Sequence, residues 1–142
     1  MKVIQAIIFC SIALCIIFLI CGYGIRYNSS QSLPQKLYLA VPAISPKIGQ
    51  IVTFCLPASQ VTFAKLMMGL PGDFIEVKNQ KIYINGSEKG AIVDAFTPIE
   101  SGIIPDGFCF VLGMHPESFD SRYAEFGLVP QDSIKEQLWP IF

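Results

Sequence analysis

The hydrophobic pattern divides this chain into two unequal parts. From Val3 to Cys21 it reads VIQAIIFCSIALCIIFLIC, in which only Gln5 and Ser11 are polar and nothing is charged. As a helix rising about 1.5 Å per residue, this run spans roughly 28 Å, close to a bilayer core of about 30 Å. A small domain can hardly bury a helix that is apolar all round, so the segment reads as a membrane span. A cleavable secretory signal has a shorter core, roughly 7–15 residues, followed by a small-x-small site; neither feature is present. Bulky Phe18, Leu19 and Ile20 precede Cys21 where a lipoprotein needs small residues. The expectation is an uncleaved signal-anchor over residues 1–24. Lys2 and the amino terminus lie before the span and Arg26 after it. That balance leans toward a cytoplasmic N-terminus. Residues 25–142 are then expected on the periplasmic, or equivalent extracytoplasmic, side of the inner (cytoplasmic) membrane.

Beyond the span, short runs of β-branched and aromatic residues are cut by Gly, Pro and Asn, the punctuation of a β protein. The predicted strands are Lys36–Val41, Gln50–Cys55, Val61–Met68, Phe74–Val77, Lys81–Ile84 and Gly107–Leu112. A hairpin is expected to turn near Asn79-Gln80, and Asn85-Gly86 gives a second turn because both residues tolerate positive φ. Segment Glu88–Ile104 is the least patterned and reads as loop or irregular edge. No long amphipathic helix is predicted. The fold class is therefore mainly β: a small, coiled antiparallel β domain behind one N-terminal transmembrane helix.

Composition narrows the partners. At 142 residues the chain holds one small domain beyond the span. Its net charge is -1, with no basic run, which argues against nucleic acid as a partner. Cys10, Cys15 and Cys21 fall inside the span, whereas Cys55 and Cys109 lie in strand-like runs. The latter two could form a disulfide in an oxidising compartment or stay as buried thiols. There is no CxxC pair, and His115 is the only histidine. A two-histidine metal motif is excluded, and no metal or cofactor is expected.

One charged residue stands out. Lys65 interrupts the apolar stretch Val61–Met68, just before the turn Gly69-Leu70-Pro71-Gly72-Asp73. Burying an ammonium there costs several kcal/mol unless it is paired or loses its proton, so its pKa should fall. A lysine neutral at pH 7 is a competent general base, and a base needs a nucleophile to activate. Serines in Ser29-Ser30-Gln31-Ser32-Leu33-Pro34 supply candidates. Taken singly, a strand lysine is ordinarily a snorkelling edge residue, and a serine just past a membrane span is ordinarily linker. The other motifs decide between these readings.

Three ordered segments resemble the signal peptidase I superfamily of Ser-Lys proteases. Lys65–Asp73 is similar to its lysine motif, a lysine, three residues, then Gly-Leu-Pro-Gly-Asp. Ser118-Phe119-Asp120-Ser121-Arg122-Tyr123 resembles its late Ser-x-Asp-Ser-Arg-Tyr motif. Lys81–Gly86 resembles the hairpin between them. Ordinary leader peptidases place proline three residues after the nucleophilic serine, and here Ser32-Leu33-Pro34 places it two after. That spacing, the run Asn28–Pro34 and Phe119 resemble the TraF-type conjugative transfer peptidases. Lys36 stands where that branch usually has glycine.

The resemblance implies roles residue by residue. Ser32 would be the nucleophile and neutral Lys65 its general base. The Ser32 backbone N–H and the Ser30 hydroxyl would form the oxyanion hole. Ser118 would orient the lysine nitrogen, and Asp120 and Arg122 would pair as supporting residues on a late strand. Gly69, Pro71, Gly72 and Asp73 would shape the turn after the lysine strand. Ser32 lies eleven residues past Cys21, so an extended linker lifts it at most about 36–40 Å from the span. A site near the bilayer suits a membrane-tethered precursor as partner. Leu33, Phe54, Phe63 and Met67 are expected to line shallow pockets for small side chains. The function implied is removal of signal or leader peptides from exported proteins, in the TraF-type case from a pilin precursor. The alternatives are a minimal housekeeping signal peptidase I and a non-catalytic scaffold component of a secretion complex.

Overall fold

A computed structural model describes residues 2–56 and 59–141. The apolar run forms one helix, α1 (Lys2–Ile20), none of whose side chains is buried. Its end is capped by Gly22, whose φ of 77° suits glycine. The Gly22 amide donates to the Leu19 carbonyl at 3.0 Å and the Tyr23 amide to the Phe18 carbonyl at 3.2 Å. The Phe18 and Tyr23 rings stack at 4.9 Å. These are the paired bonds and apolar contact of a Schellman cap. The sequence predicted a free extended linker here. Instead the chain turns within three residues into a strand, β1 (Gly24–Tyr27).

Ten further strands follow: β2 (Leu37–Pro42), β3 (Ile51–Cys55), β4 (Thr62–Gly69), β5 (Phe74–Lys78), β6 (Lys81–Ile84), β7 (Ser87–Ala91), β8 (Gly102–Ile103), β9 (Phe108–Leu112), β10 (Val129–Pro130) and β11 (Ile134–Pro140). One sheet has the order β1-β2-β11-β3-β4-β9-β10, and a second has the order β7-β6-β5-β8. Every pairing is antiparallel. The six predicted strands all form, displaced by a residue or so at their ends. Asn79 and Gln80 both take positive φ between the paired Lys78 and Lys81, as Asn85 and Gly86 do between Ile84 and Ser87. Both are two-residue hairpin turns that match the right-handed twist of their strands.

Three apolar clusters hold the sheets. Ile75, Ile82 and Ile84 of the smaller sheet pack against Ile104, Phe110, Leu112 and Tyr123. Val52, Phe54, Met67, Val111 and Val129 form a second cluster inside the larger sheet. The third, Leu33, Tyr38, Ala40 and Leu138, lies beneath the loop that carries the serines. After β4, Asp73 Oδ2 accepts the Leu70 amide at 2.8 Å, and its Oδ1 accepts Asn85 Nδ2 at 2.7 Å. The Pro71-Gly72 turn is thereby tied to the hairpin beyond it.

Candidate active site

Ser32 sits on the loop 28–36 between β1 and β2. The loop is closed at its base by the Tyr27–Leu37 pair and by the Asn28 amide, which donates to the Lys36 carbonyl at 2.8 Å. Leu33 anchors it from below, 2% exposed in the third cluster. Pro34 keeps Leu33 out of helical geometry, so the loop cannot wind up and bury the hydroxyl. From the opposite side the Met114 amide donates to the Ser32 carbonyl at 2.7 Å.

Lys65 comes from β4, paired with Val52 of β3, and is 4% exposed. Its Nζ lies 2.9 Å from Ser32 Oγ and 2.5 Å from Ser118 Oγ, and the two hydroxyl oxygens are 3.2 Å apart. No carboxylate forms an ion pair with Lys65 among the described residues. Burial pushes its pKa below the ordinary 10.5; the Asp120 charge opposes that shift and the Arg122 charge adds to it. A neutral amine has a lone pair for the Ser32 proton and hydrogens to offer Ser118. The arrangement can activate an alcohol.

Ser118 is held in reach by a buried ionic clamp. Asp120, fully buried, accepts Arg122 Nε at 2.8 Å and Nη2 at 2.9 Å, and also the Gly113 amide at 2.8 Å. Arg122 then donates to the Ser118 carbonyl at 3.0 Å and, across to β7, to the Ala91 carbonyl at 2.7 Å. This pair was expected on a strand. It lies instead in the turns between β9 and β10, where Asp120 reaches the Gly113 amide and Arg122 reaches the Ser118 and Ala91 carbonyls.

Ser30 sits one hydroxyl away from the nucleophile. The Ser32 amide donates to Ser30 Oγ at 3.3 Å, and the Ser30 hydroxyl donates to Asn28 Oδ1 at 2.8 Å. The two donors expected to face an oxyanion thus face each other in the free protein.

A cleft of about 490 Å³ opens beside the Ser32–Lys65 pair, walled by Tyr27, Phe63, Ala64, Phe119 and Leu138 among others. Its polar end is the Arg26–Glu136 ion pair, with the Thr53 hydroxyl donating to Glu136 at 3.3 Å. Of the four residues expected to line pockets, only Phe63 does so. Leu33, Phe54 and Met67 are 2%, 0% and 0% exposed, since strand alternation and the loop anchor turn them into the core. Cys55 and Cys109 are both free. Burial pushes the Cys109 thiol up to about 12, which makes it inert.

Sequence reasoning missed two residues of this site. A Cβ on Gly113 would meet Ser118 Oγ at 1.9 Å and Lys65 Nζ at 3.2 Å. Only glycine lets the serine close on the lysine, and its sole signal was a glycine ending an apolar strand. Asn28 is the other; it opens the Asn28–Pro34 run that carries the TraF-type resemblance, but was given no role of its own, although an asparagine there can bond nearby backbone.

The chain is 30% identical to the conjugal transfer protein TraF of Agrobacterium fabrum, over 55% of this chain and 47% of that protein. It is 35% identical to signal peptidase I S of Bacillus subtilis, over 52% of this chain and 47% of that protein. A probable signal peptidase I-2 of Synechocystis is 32% identical over 82% of this chain and 63% of its own length. The chain thus spans about half the length of the first two curated relatives. A solved signal peptidase I from Enterococcus faecalis is 29% identical with a TM-score of 0.46, covering 63% of this chain and 93% of that one. The profile of the family described as signal peptidase, peptidase S26, matches residues 1–138, and the chain belongs to that family.

Proposed function

We propose that this chain is a membrane-anchored serine endopeptidase that removes signal or leader peptides from exported proteins. The observation that carries the reading is a buried lysine with no carboxylate ion pair among the described residues, its Nζ 2.9 Å from Ser32 Oγ. Family membership and the apolar α1 support the substrate class and the anchoring. In this reading residues 1–24 anchor the chain in the inner membrane, and residues 25–142 form the extracytoplasmic catalytic domain.

Neutral Lys65 takes the Ser32 proton as Oγ attacks the scissile carbonyl. The oxyanion that forms is met by the Ser32 N–H and the Ser30 hydroxyl. On collapse the Lys65 ammonium gives its proton to the leaving amine, leaving an acyl ester on Ser32. Lys65 then deprotonates a water that attacks the ester, and Ser32 is regenerated. Ser118 orients Nζ throughout, and Asp120 and Arg122 hold Ser118.

The Asn28–Pro34 loop and the likeness to a conjugal transfer protein favour a pilin precursor as the dedicated substrate. Likeness to signal peptidase I S supports the second reading, a general housekeeping peptidase. Detergent-solubilised full-length chain and its Ser32→Ala variant would be incubated with a precursor bearing a small-x-small site and with a pilin precursor. Cleavage of the pilin precursor alone, by wild type alone, is the expected result. Cleavage of both by wild type favours the housekeeping reading. Equal cleavage by Ser32→Ala removes Ser32 as nucleophile, and no cleavage of either leaves the scaffold reading standing.

A further inference from the structure

The loop that carries Ser32 is built around one side chain. The two amide hydrogens of Asn28 Nδ2 are shared among the carbonyls of Ser30, Leu33 and Gln35, at 3.1, 3.1 and 3.2 Å. Its Oδ1 accepts both the Ser30 amide at 3.0 Å and the Ser30 hydroxyl at 2.8 Å. The orientation is unambiguous, because carbonyls require the donor end and a backbone amide requires the acceptor end. Neither an aspartate nor a leucine could satisfy both sets. Asn28 is also the first residue beyond β1, so the ladder fixes its backbone where the loop begins.

We infer that Asn28 is a positioning residue that holds the Ser30 hydroxyl in reserve for the oxyanion; the inference rests on the Ser32–Lys65 reading above. In the free protein the hydroxyl proton is parked on a neutral amide oxygen. When negative charge develops on the substrate carbonyl, the proton turns from Asn28 Oδ1 to the oxyanion. A hydrogen bond to a neutral acceptor is exchanged for one to an anion, which is roughly twice as strong. The gain exists only in the transition state, so it appears in turnover rather than in substrate binding. Asn28 does not lose its grip in the exchange. Its Oδ1 keeps the Ser30 amide and its Nδ2 keeps the three carbonyls, so Ser30 pivots about a fixed backbone.

The test is a double-mutant cycle on the full-length solubilised chain, using a precursor peptide that wild type cleaves, with Ser32→Ala as the control. Ser30→Ala should lower kcat on the order of 10²-fold with KM little changed. Asn28→Ala should lower kcat about 30-fold in the wild-type background and only about threefold in the Ser30→Ala background, since coupled groups are not additive. The melting temperature should fall by only a few degrees, leaving the protein folded at the assay temperature. An equal factor in both backgrounds, an unchanged kcat, or a fall in melting temperature that accounts for the loss would each overturn the inference. A Ser32→Ala variant that still cleaves would instead overturn the dyad beneath it.

Discussion

The two halves of the site are held by different physics. On the lysine side Lys65, Ser118, Asp120 and Arg122 are all buried, and an ionic clamp sets their geometry. On the serine side Asn28 and Ser32 are half-buried, Ser30 is exposed, and neutral hydrogen bonds do the holding. The division follows from the chemistry proposed for each half. A lysine acts as a base only if it is dry enough to shed its proton. A nucleophile that attacks a polypeptide has to be reached from solvent. Stability and reactivity are therefore assigned to opposite sides of one 2.9 Å contact.

That contrast can be broken from either side. A large loss of activity should come from Gly113→Ala, which drives a methyl into Ser118 Oγ and displaces it from Lys65. A shift of about 1 Å in such a group costs on the order of 10²-fold, measured as kcat/KM on a cleavable precursor. Next comes Arg122→Ala, which strands the buried Asp120 charge. Unfolding by denaturant should show a loss of about 3–5 kcal/mol. On the serine side, Asn28→Ala should cost stability only about 1 kcal/mol in the same assay. Comparable losses from Arg122→Ala and Asn28→Ala would erase the distinction between the two halves.

The legible parts of the molecule were those whose signals are local. Lys65 was visible because a charge in an apolar run is costly wherever it lies. The Asn79-Gln80 and Asn85-Gly86 turns were visible because few residues accept positive φ. The strand β11 was not foreseen, although it lies inside the larger sheet between β2 and β3. Its Lys135-Glu136-Gln137 run has no strand preference of its own, and pairing on both edges overrides that. β1 was read as linker because its Gly24 and Arg26 carry no apolar alternation, yet the Schellman cap at Gly22 delivers it directly onto β2. The short strands β7 and β8 fall in the segment read as irregular edge, and both are edges of the smaller sheet. The motif residues Ser32, Lys65 and Ser118 converge as their order implied. The roles of Gly113 and Asn28 depend on the atoms they meet in space, and the Asn28–Pro34 run signalled a resemblance without reporting those contacts.

The central claim is that Lys65 works without its proton, and a pH profile of kcat/KM tests it most directly. Such a profile reports ionisation in the free enzyme. A base with a pKa lowered by burial is inactive while protonated, so the rate should rise with pH through a midpoint below 10.5. Lys65→Arg should cleave nothing at any pH, because arginine stays charged. A wild-type profile flat across this range, or a Lys65→Arg protein that cleaves, would contradict the account.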